Sequence, residues 1–205
     1  PDIVSDYAVD FIQRNKEKPF FLYYPMLLVH DPFVPTPDSE EWNNPDLRYK
    51  KNNIFFKDMV EYMDKIVGKI VQELKAQGIE DNTLIMFVGD NGTNVNLLTK
   101  TIFGDVKGAK GNTITHGVHV PMIASWPSKI KIPIIYDGVF DLTDFYATFS
   151  DILNVSNDSD GKSLTHIFNG NKKNVREIVT IYYDPKWSIN VSKYRNIFSQ
   201  NKRYK

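Results

Sequence analysis

The chain has 205 residues, and its 25 Lys and Arg side chains balance 25 Asp and Glu, so the formal charge near neutral pH is zero. That length suffices to bury a substantial core within one domain, and the charge balance excludes a global field that would draw the chain to nucleic acid or an acidic membrane surface. There is no cysteine, which excludes disulfides, thiolate metal sites and a cysteine nucleophile from these residues.

In chain order, residues 2–16 place Val4, Tyr7, Ala8, Phe11 and Ile12 on one helical face. Pro19 ends that helix. Phe20-Phe21-Leu22-Tyr23-Tyr24 is a continuous apolar run, as expected of a strand buried on both faces in a parallel sheet. The run continues to Val29 and meets His30-Asp31-Pro32-Phe33. Residues up to about 48 are rich in Pro, Asn and Asp and read as a loop. Over residues 49–77 the spacing of Met59, Tyr62, Met63, Ile66, Val67, Ile70, Val71 and Leu74 predicts a long helix, with Gly78 as its terminator. Asp81-Asn82 make a turn, and residues 83–88 predict the next buried strand. Helix, short turn and strand form the αβ half of a parallel unit. Residues 94–108 are polar and read as a loop. Residues 120–126 predict a strand, 141–153 an amphipathic helix, 178–183 a strand and 194–198 a further one. No stretch has the length and apolarity of a membrane span or a leader peptide.

The strand over 83–88 runs into Gly89-Asp90-Asn91-Gly92-Thr93. An apolar strand ending this way can deliver two oxygen ligands to the mouth of an α/β sheet, where such folds bind their ligands. Carboxylate and amide oxygens are hard donors suited to Ca²⁺ or Mg²⁺. The same residues also make a common turn, and spacing does not decide between the two. Lys110 is followed by Gly111, which lets backbone approach an anion closely; the alternative is a surface lysine. His30 stands at the end of an apolar run, either as a proton-transfer residue, a role to which histidine as a residue type is suited, or as a histidine satisfied by backbone.

Five landmarks carry a family resemblance. They are residues 19–23 running to His30-Asp31-Pro32-Phe33; Tyr62-Met63-Asp64-Lys65-Ile66-Val67-Gly68; Asp81-Asn82-Thr83 through Gly89-Asp90-Asn91-Gly92-Thr93; Lys110-Gly111 through His119-Val120-Pro121 and Trp126-Pro127; and Asp160-Gly161-Lys162-Ser163-Leu164. In this order and spacing the chain resembles the sulfatases, members of the alkaline-phosphatase-like superfamily. The resemblance implies an α/β fold with part of a mixed, mostly parallel sheet flanked by helices. It implies a catalytic-domain fragment over 1–174 and the start of a small C-terminal antiparallel subdomain over 175–205.

The implied activity is hydrolysis of a sulfuric ester by a hydrated formylglycine nucleophile, with calcium and lysines neutralising the sulfate oxygens. By resemblance, Asp90 and Asn91 coordinate Ca²⁺, Lys110 holds a sulfate oxygen, and His30 contacts the sulfate and protonates the leaving oxygen. Lys107 ranks below Lys110. His119 matches the family's histidine variant and reads as structural before substrate-binding; Thr115 and His116 depart from the usual pattern, which leaves His116 open. Trp42 is the candidate substrate wall, Trp187 could stack on a sugar, and Trp126 reads as core. The family's acidic metal-binding pair and its Cys/Ser-x-Pro-x-Arg motif, which becomes formylglycine, do not appear before the first landmark. Ser125-Trp126-Pro127-Ser128-Lys129 imitates that motif but falls where the family has a turn without catalytic role. The expectation is therefore an incomplete portion of a sulfatase, inactive and weak in calcium binding on its own, with an exposed sheet edge prone to self-association. The expected partner is a sulfated small molecule or sugar sulfate, in a periplasmic or secreted setting. The alternatives are a non-catalytic remnant that folds or binds anions, and a phosphodiesterase or phosphonate hydrolase of the same superfamily.

Overall fold

A computed structural model describes residues 1–184 and 195–203. Trp187 and the first residue of the strand expected over 194–198 lie outside the described residues. Internal contacts divide the chain into two units, Pro1–Trp126 and Pro127–Lys205. The expected boundary after residue 174 falls inside the second.

In the first unit, helix α1 (Asp2–Asn15) buries Ser5, Ala8 and Ile12. It packs on helix α2 (Phe56–Ala76), which buries Met59, Tyr62, Ile66 and Leu74. These are the three-and-four-spaced positions that define one helix face. The Tyr62 hydroxyl donates to the Asp2 carboxylate at 2.5 Å. Burial, and then that carboxylate, push the Tyr62 hydroxyl far above the ordinary phenol range. α2 begins seven residues later than the periodicity predicts. The cause is local: the Asn52 side chain accepts from the Ile54 N–H at 3.0 Å, which favours a 3₁₀ turn over Asn53–Phe55. At the other end Gly78 adopts φ +69° and stops the helix as expected.

Strand β1 (Ile85–Val88) pairs antiparallel with β4 (Met122–Ser125), in a register that sets Ile85 opposite Ser125 and Val88 opposite Met122. Between them stand the hairpin β2 (Leu98–Thr101) and β3 (Gly104–Lys107), and the short helix α3 (Thr115–Val118). The hairpin corrects the loop expected over 94–108. Its strands are exposed and polar, so no apolar alternation marks them. A second correction concerns residues 20–24. They form no β ladder, and their burial alternates instead of being continuous, with Phe21 69% and Tyr23 76% exposed. The chain is α/β as expected. Among the described residues every ladder is antiparallel, which corrects the mostly parallel sheet expected.

The core of this unit joins Phe33, Phe55, Met59 and Leu97, with Leu28, Val29 and Phe56 packed against them. In the second unit, α4 (Asp144–Ile152) and α5 (Thr165–Phe168) pack together, and β5 (Val179–Tyr183) pairs antiparallel with β6 (Asn196–Gln200). Asp144 is 0% exposed. It accepts from the Asp141 N–H at 2.9 Å and the Lys162 N–H at 2.7 Å, and is paired with the Arg176 guanidinium.

Candidate functional site

The end of β1 opens into a knot of loops in which backbone lies against backbone. The Gly89 N–H donates to the Pro121 carbonyl at 3.0 Å, and the Gly92 N–H to the Gly117 carbonyl at 3.0 Å. A Cβ added at Gly92 would sit 2.0 Å from the His116 carbonyl oxygen, and one at Gly108 would sit 1.9 Å from that of Asn94. Both are far inside contact distance, so these positions must lack a side chain. The Lys110 N–H donates to the Thr93 carbonyl at 2.9 Å. Lys110 thereby joins the loop that carries Asp90 and Asn91, three residues on from Asp90. Ala109, just before it, is buried and anchors that attachment.

His116 and His119 flank Gly117, which accepts from Gly92, so both belong to this knot. His116 contributes its carbonyl to the close contact with Gly92. His119 caps α3 through its own N–H, bonded to the Thr115 carbonyl at 2.8 Å. Both imidazoles are exposed. Asp90 is exposed, while Asn91 and Lys110 are half-buried. Among the described residues, the Asp90 carboxylate, the Asn91 amide and the Lys110 amine engage no protein hydrogen bond or ion pair. An anionic group, an amide and a cation held on one loop cluster, all with free valence, can accept a ligand that carries both a metal and an oxyanion.

The segment that carries His30 packs against the residue that precedes the hairpin. Val29 and Phe33 share the core with Leu97, whose carbonyl accepts from the Gly108 N–H at 2.9 Å, two residues before Lys110. The His30 ring is oriented by its neighbour: Nδ1 donates to the Asp31 carbonyl at 2.7 Å, and the Asp31 carboxylate lies 3.4 Å away. A carbonyl only accepts, so Nδ1 carries the proton and Nε2 is the nitrogen left for a ligand. Trp42 has a partner close in sequence. The Arg48 guanidinium lies 4.9 Å over its ring and donates to its carbonyl at 2.7 Å, a cation–π contact. Lys107 is exposed on β3. Trp126 is half-buried, and Ser125, the first residue of the false motif, closes β4 opposite Ile85.

The donor set suits a hard divalent cation, with one carboxylate and one amide oxygen on consecutive residues and no thiolate in the chain. It is a partial set. Among the described residues no group of three or more His, Cys, Asp and Glu gathers to hold a metal, and Ca²⁺ takes about six to eight oxygens. Sequence reasoning missed the 94–108 hairpin that springs from this knot. Its signal was the pair Leu97 and Gly108, one a core residue and the other a glycine, bracketing a polar stretch.

Comparisons with known proteins give the family and the fold. The Sulfatase family model matches residues 1–155. The chain is 30% identical over 162 residues to the N-acetylgalactosamine-6-O-sulfatase of Bacteroides thetaiotaomicron, covering 74% of this chain and 30% of that protein. Among solved structures, the PsFucS1 sulfatase from Pseudoalteromonas sp. superposes with a TM-score of 0.69 at 29% identity, covering 89% of this chain and 36% of that one. Ps i-CgsB in complex with k-i-k-neocarrahexaose superposes with a TM-score of 0.66 at 28% identity, covering 89% of this chain and 41% of that one. The chain thus spans less than half the length of the proteins it matches, with the α/β, alkaline-phosphatase-like fold they share. On the family match and on these likenesses, the chain belongs to the sulfatase family.

Proposed function

We propose that these residues form the sulfate-holding portion of a sulfuric ester hydrolase. Lys110 binds a sulfate oxygen with a charge-assisted hydrogen bond and offsets the charge that builds on the ester oxygens as the S–O bond breaks. His30 delivers a proton from Nε2 to the departing alcohol oxygen. Its Nδ1–H is held by the Asp31 carbonyl, and the nearby Asp31 carboxylate balances the imidazolium that precedes transfer. Asp90 and Asn91 supply two oxygen ligands to a divalent cation, read as calcium. When bound, that cation supplies Lewis-acid neutralisation of the sulfate oxygens.

The attacking group is not among these residues in this reading. The chain has no cysteine, and Ser125 sits inside a strand. Turnover then requires a nucleophile, a formylglycine by family likeness, together with further metal ligands contributed from outside the 205 residues. The substrate class we propose is a sulfated saccharide. A relative named for N-acetylgalactosamine 6-O-sulfate and a structural neighbour holding a neocarrahexaose support it.

The observation that carries this reading is the bond from the Lys110 N–H to the Thr93 carbonyl, which ties to the Asp90–Asn91 loop the backbone of a lysine whose amine has no protein partner among the described residues. Titration of the protein with inorganic sulfate, followed by amide chemical shifts, tests it. Shifts over 90–93 and 109–112 that disappear in Lys110→Ala are expected, with no turnover of an aryl sulfate by the purified chain. Sulfate binding unchanged by Lys110→Ala would overturn the site. Turnover abolished by that substitution would overturn the need for an outside nucleophile.

A further inference from the structure

The β2–β3 hairpin leaves the site at Leu97 and returns to it at Gly108, and the chemistry above makes no use of it. Both ends are fixed, since Leu97 is buried in the core and its carbonyl takes the Gly108 N–H at 2.9 Å. Thr101 and Gly104 face each other in the ladder, so Ile102 and Phe103 make a two-residue tip. Each is 93% exposed. Two-residue tips normally select Asn, Asp or Gly, because the turn asks for positive φ. Neither Ile102 nor Phe103 has a positive φ; Gly104 takes that conformation instead, at +115°. Thr101 holds the arrangement, its Oγ1 accepting from the Phe103 N–H at 3.1 Å and donating to the Gly104 carbonyl at 2.8 Å.

Two large apolar side chains are therefore displayed in water, on a turn built to tolerate them, where they contribute no burial to the fold. Single exposed apolar residues are ordinary. An adjacent pair on an arm rooted beside an anion-holding lysine breaks the local rules, and such breaks are expected where function is served. Lys100 and Lys107 stand on the same arm, exposed and without an ion pair among the described residues.

We propose that this hairpin receives the sugar chain of a sulfated saccharide whose reacting sulfate lies on Lys110, an inference that rests on the sulfatase reading above. Phe103 and Ile102 cover the apolar C–H faces of the neighbouring rings, as aromatic side chains with large contact area do. Lys100 and Lys107 meet further sulfates, and flexible point charges suit sulfates at variable positions. The site is continuous with the loop knot, and although Asp105 stands opposite Lys100 in the ladder, Lys100 and Lys107 leave the arm net positive toward a polyanion.

The experiment compares wild-type protein with an Ile102→Ser/Phe103→Ser variant and with Lys110→Ala. The probes are inorganic sulfate, chondroitin-6-sulfate and carrageenan hexasaccharides, and their desulfated counterparts. A sulfated hexasaccharide is expected to shift amides over 98–107 as well as 109–112, whereas inorganic sulfate shifts only the latter. The tip variant should weaken hexasaccharide binding about tenfold and leave inorganic sulfate binding and the thermal midpoint unchanged. If a hexasaccharide binds at Lys110 and the tip variant binds it as well as wild type, the hairpin inference falls and the site reading stands. If neither ligand responds to Lys110→Ala, the site reading falls and takes the inference with it. Binding of the tip to phosphatidylcholine vesicles, with no oligosaccharide response over 98–107, would assign the arm to a lipid surface and overturn the proposal.

Discussion

Two carboxylates in this chain are answered by their surroundings in opposite ways. Asp144, in the second unit, is wholly buried. Every contact it needs is met within the protein, by two backbone N–H groups and the Arg176 guanidinium, with Asp141 3.3 Å from the same guanidinium. Asp90, in the first unit, is exposed, and neither its carboxylate nor the Lys110 amine engages a protein hydrogen bond or ion pair among the described residues. A closed charge pair holds a fold together, and charged groups without a protein partner on one loop cluster stay available to a ligand. Similar residue types thus divide by how completely the protein itself answers them.

The largest effect that would break this contrast is at the closed pair. Arg176→Met should strand a buried carboxylate and cost about 3–5 kcal/mol in urea unfolding, whereas Lys110→Ala should leave the unfolding midpoint in place. Equal losses in the two variants would erase the distinction. Next in size is Gly92→Ala. The added methyl meets the His116 carbonyl at 2.0 Å, so the loop must shift, at roughly 1–3 kcal/mol. Inorganic sulfate binding should weaken in the same variant, because the Asp90 loop moves relative to Lys110. A variant of unchanged stability and unchanged sulfate binding would show that the knot does not set the site.

The smallest effect concerns Asp151. Hydrogen bonds from Ser163 and Thr165 hold its carboxyl below the ordinary carboxylate range. A depressed folded pKa stabilises above the unfolded value near 3.9, and that contribution is lost as pH falls through the lower folded pKa. In Ser163→Ala the Asp151 titration, followed by carboxyl NMR, should move up toward the ordinary range. Because the group is exposed, global stability should change little.

Much of this was legible before the structure. The faces of α1 and α2 follow from three-and-four spacing, and residues 85–88 and 122–125 are short apolar runs between turn residues. The Asp90-Asn91-Gly92 and Lys110-Gly111 landmarks were legible as candidates, and the loop knot brings their backbones together. What was not legible had physical causes. Asn52 competes for backbone N–H groups and delays α2. Residues 20–24 carry a parallel-strand signature but form no ladder, and an apolar run does not say which neighbour will pair with it. The hairpin over 98–107 has no alternating pattern because neither of its faces is buried. Trp42 could not be assigned from its type, because its ring is covered by Arg48, six residues away.

The close approach at Gly92 and Gly108 has a wider consequence. Carbonyl oxygens, and not side chains, set the spacing between the Asp90 loop and the Lys110 loop. That spacing is a property of the polypeptide main chain and is insensitive to what decorates it. Side chains around these loops can therefore change without altering the distance between the two backbones, provided positions 92 and 108 stay bare.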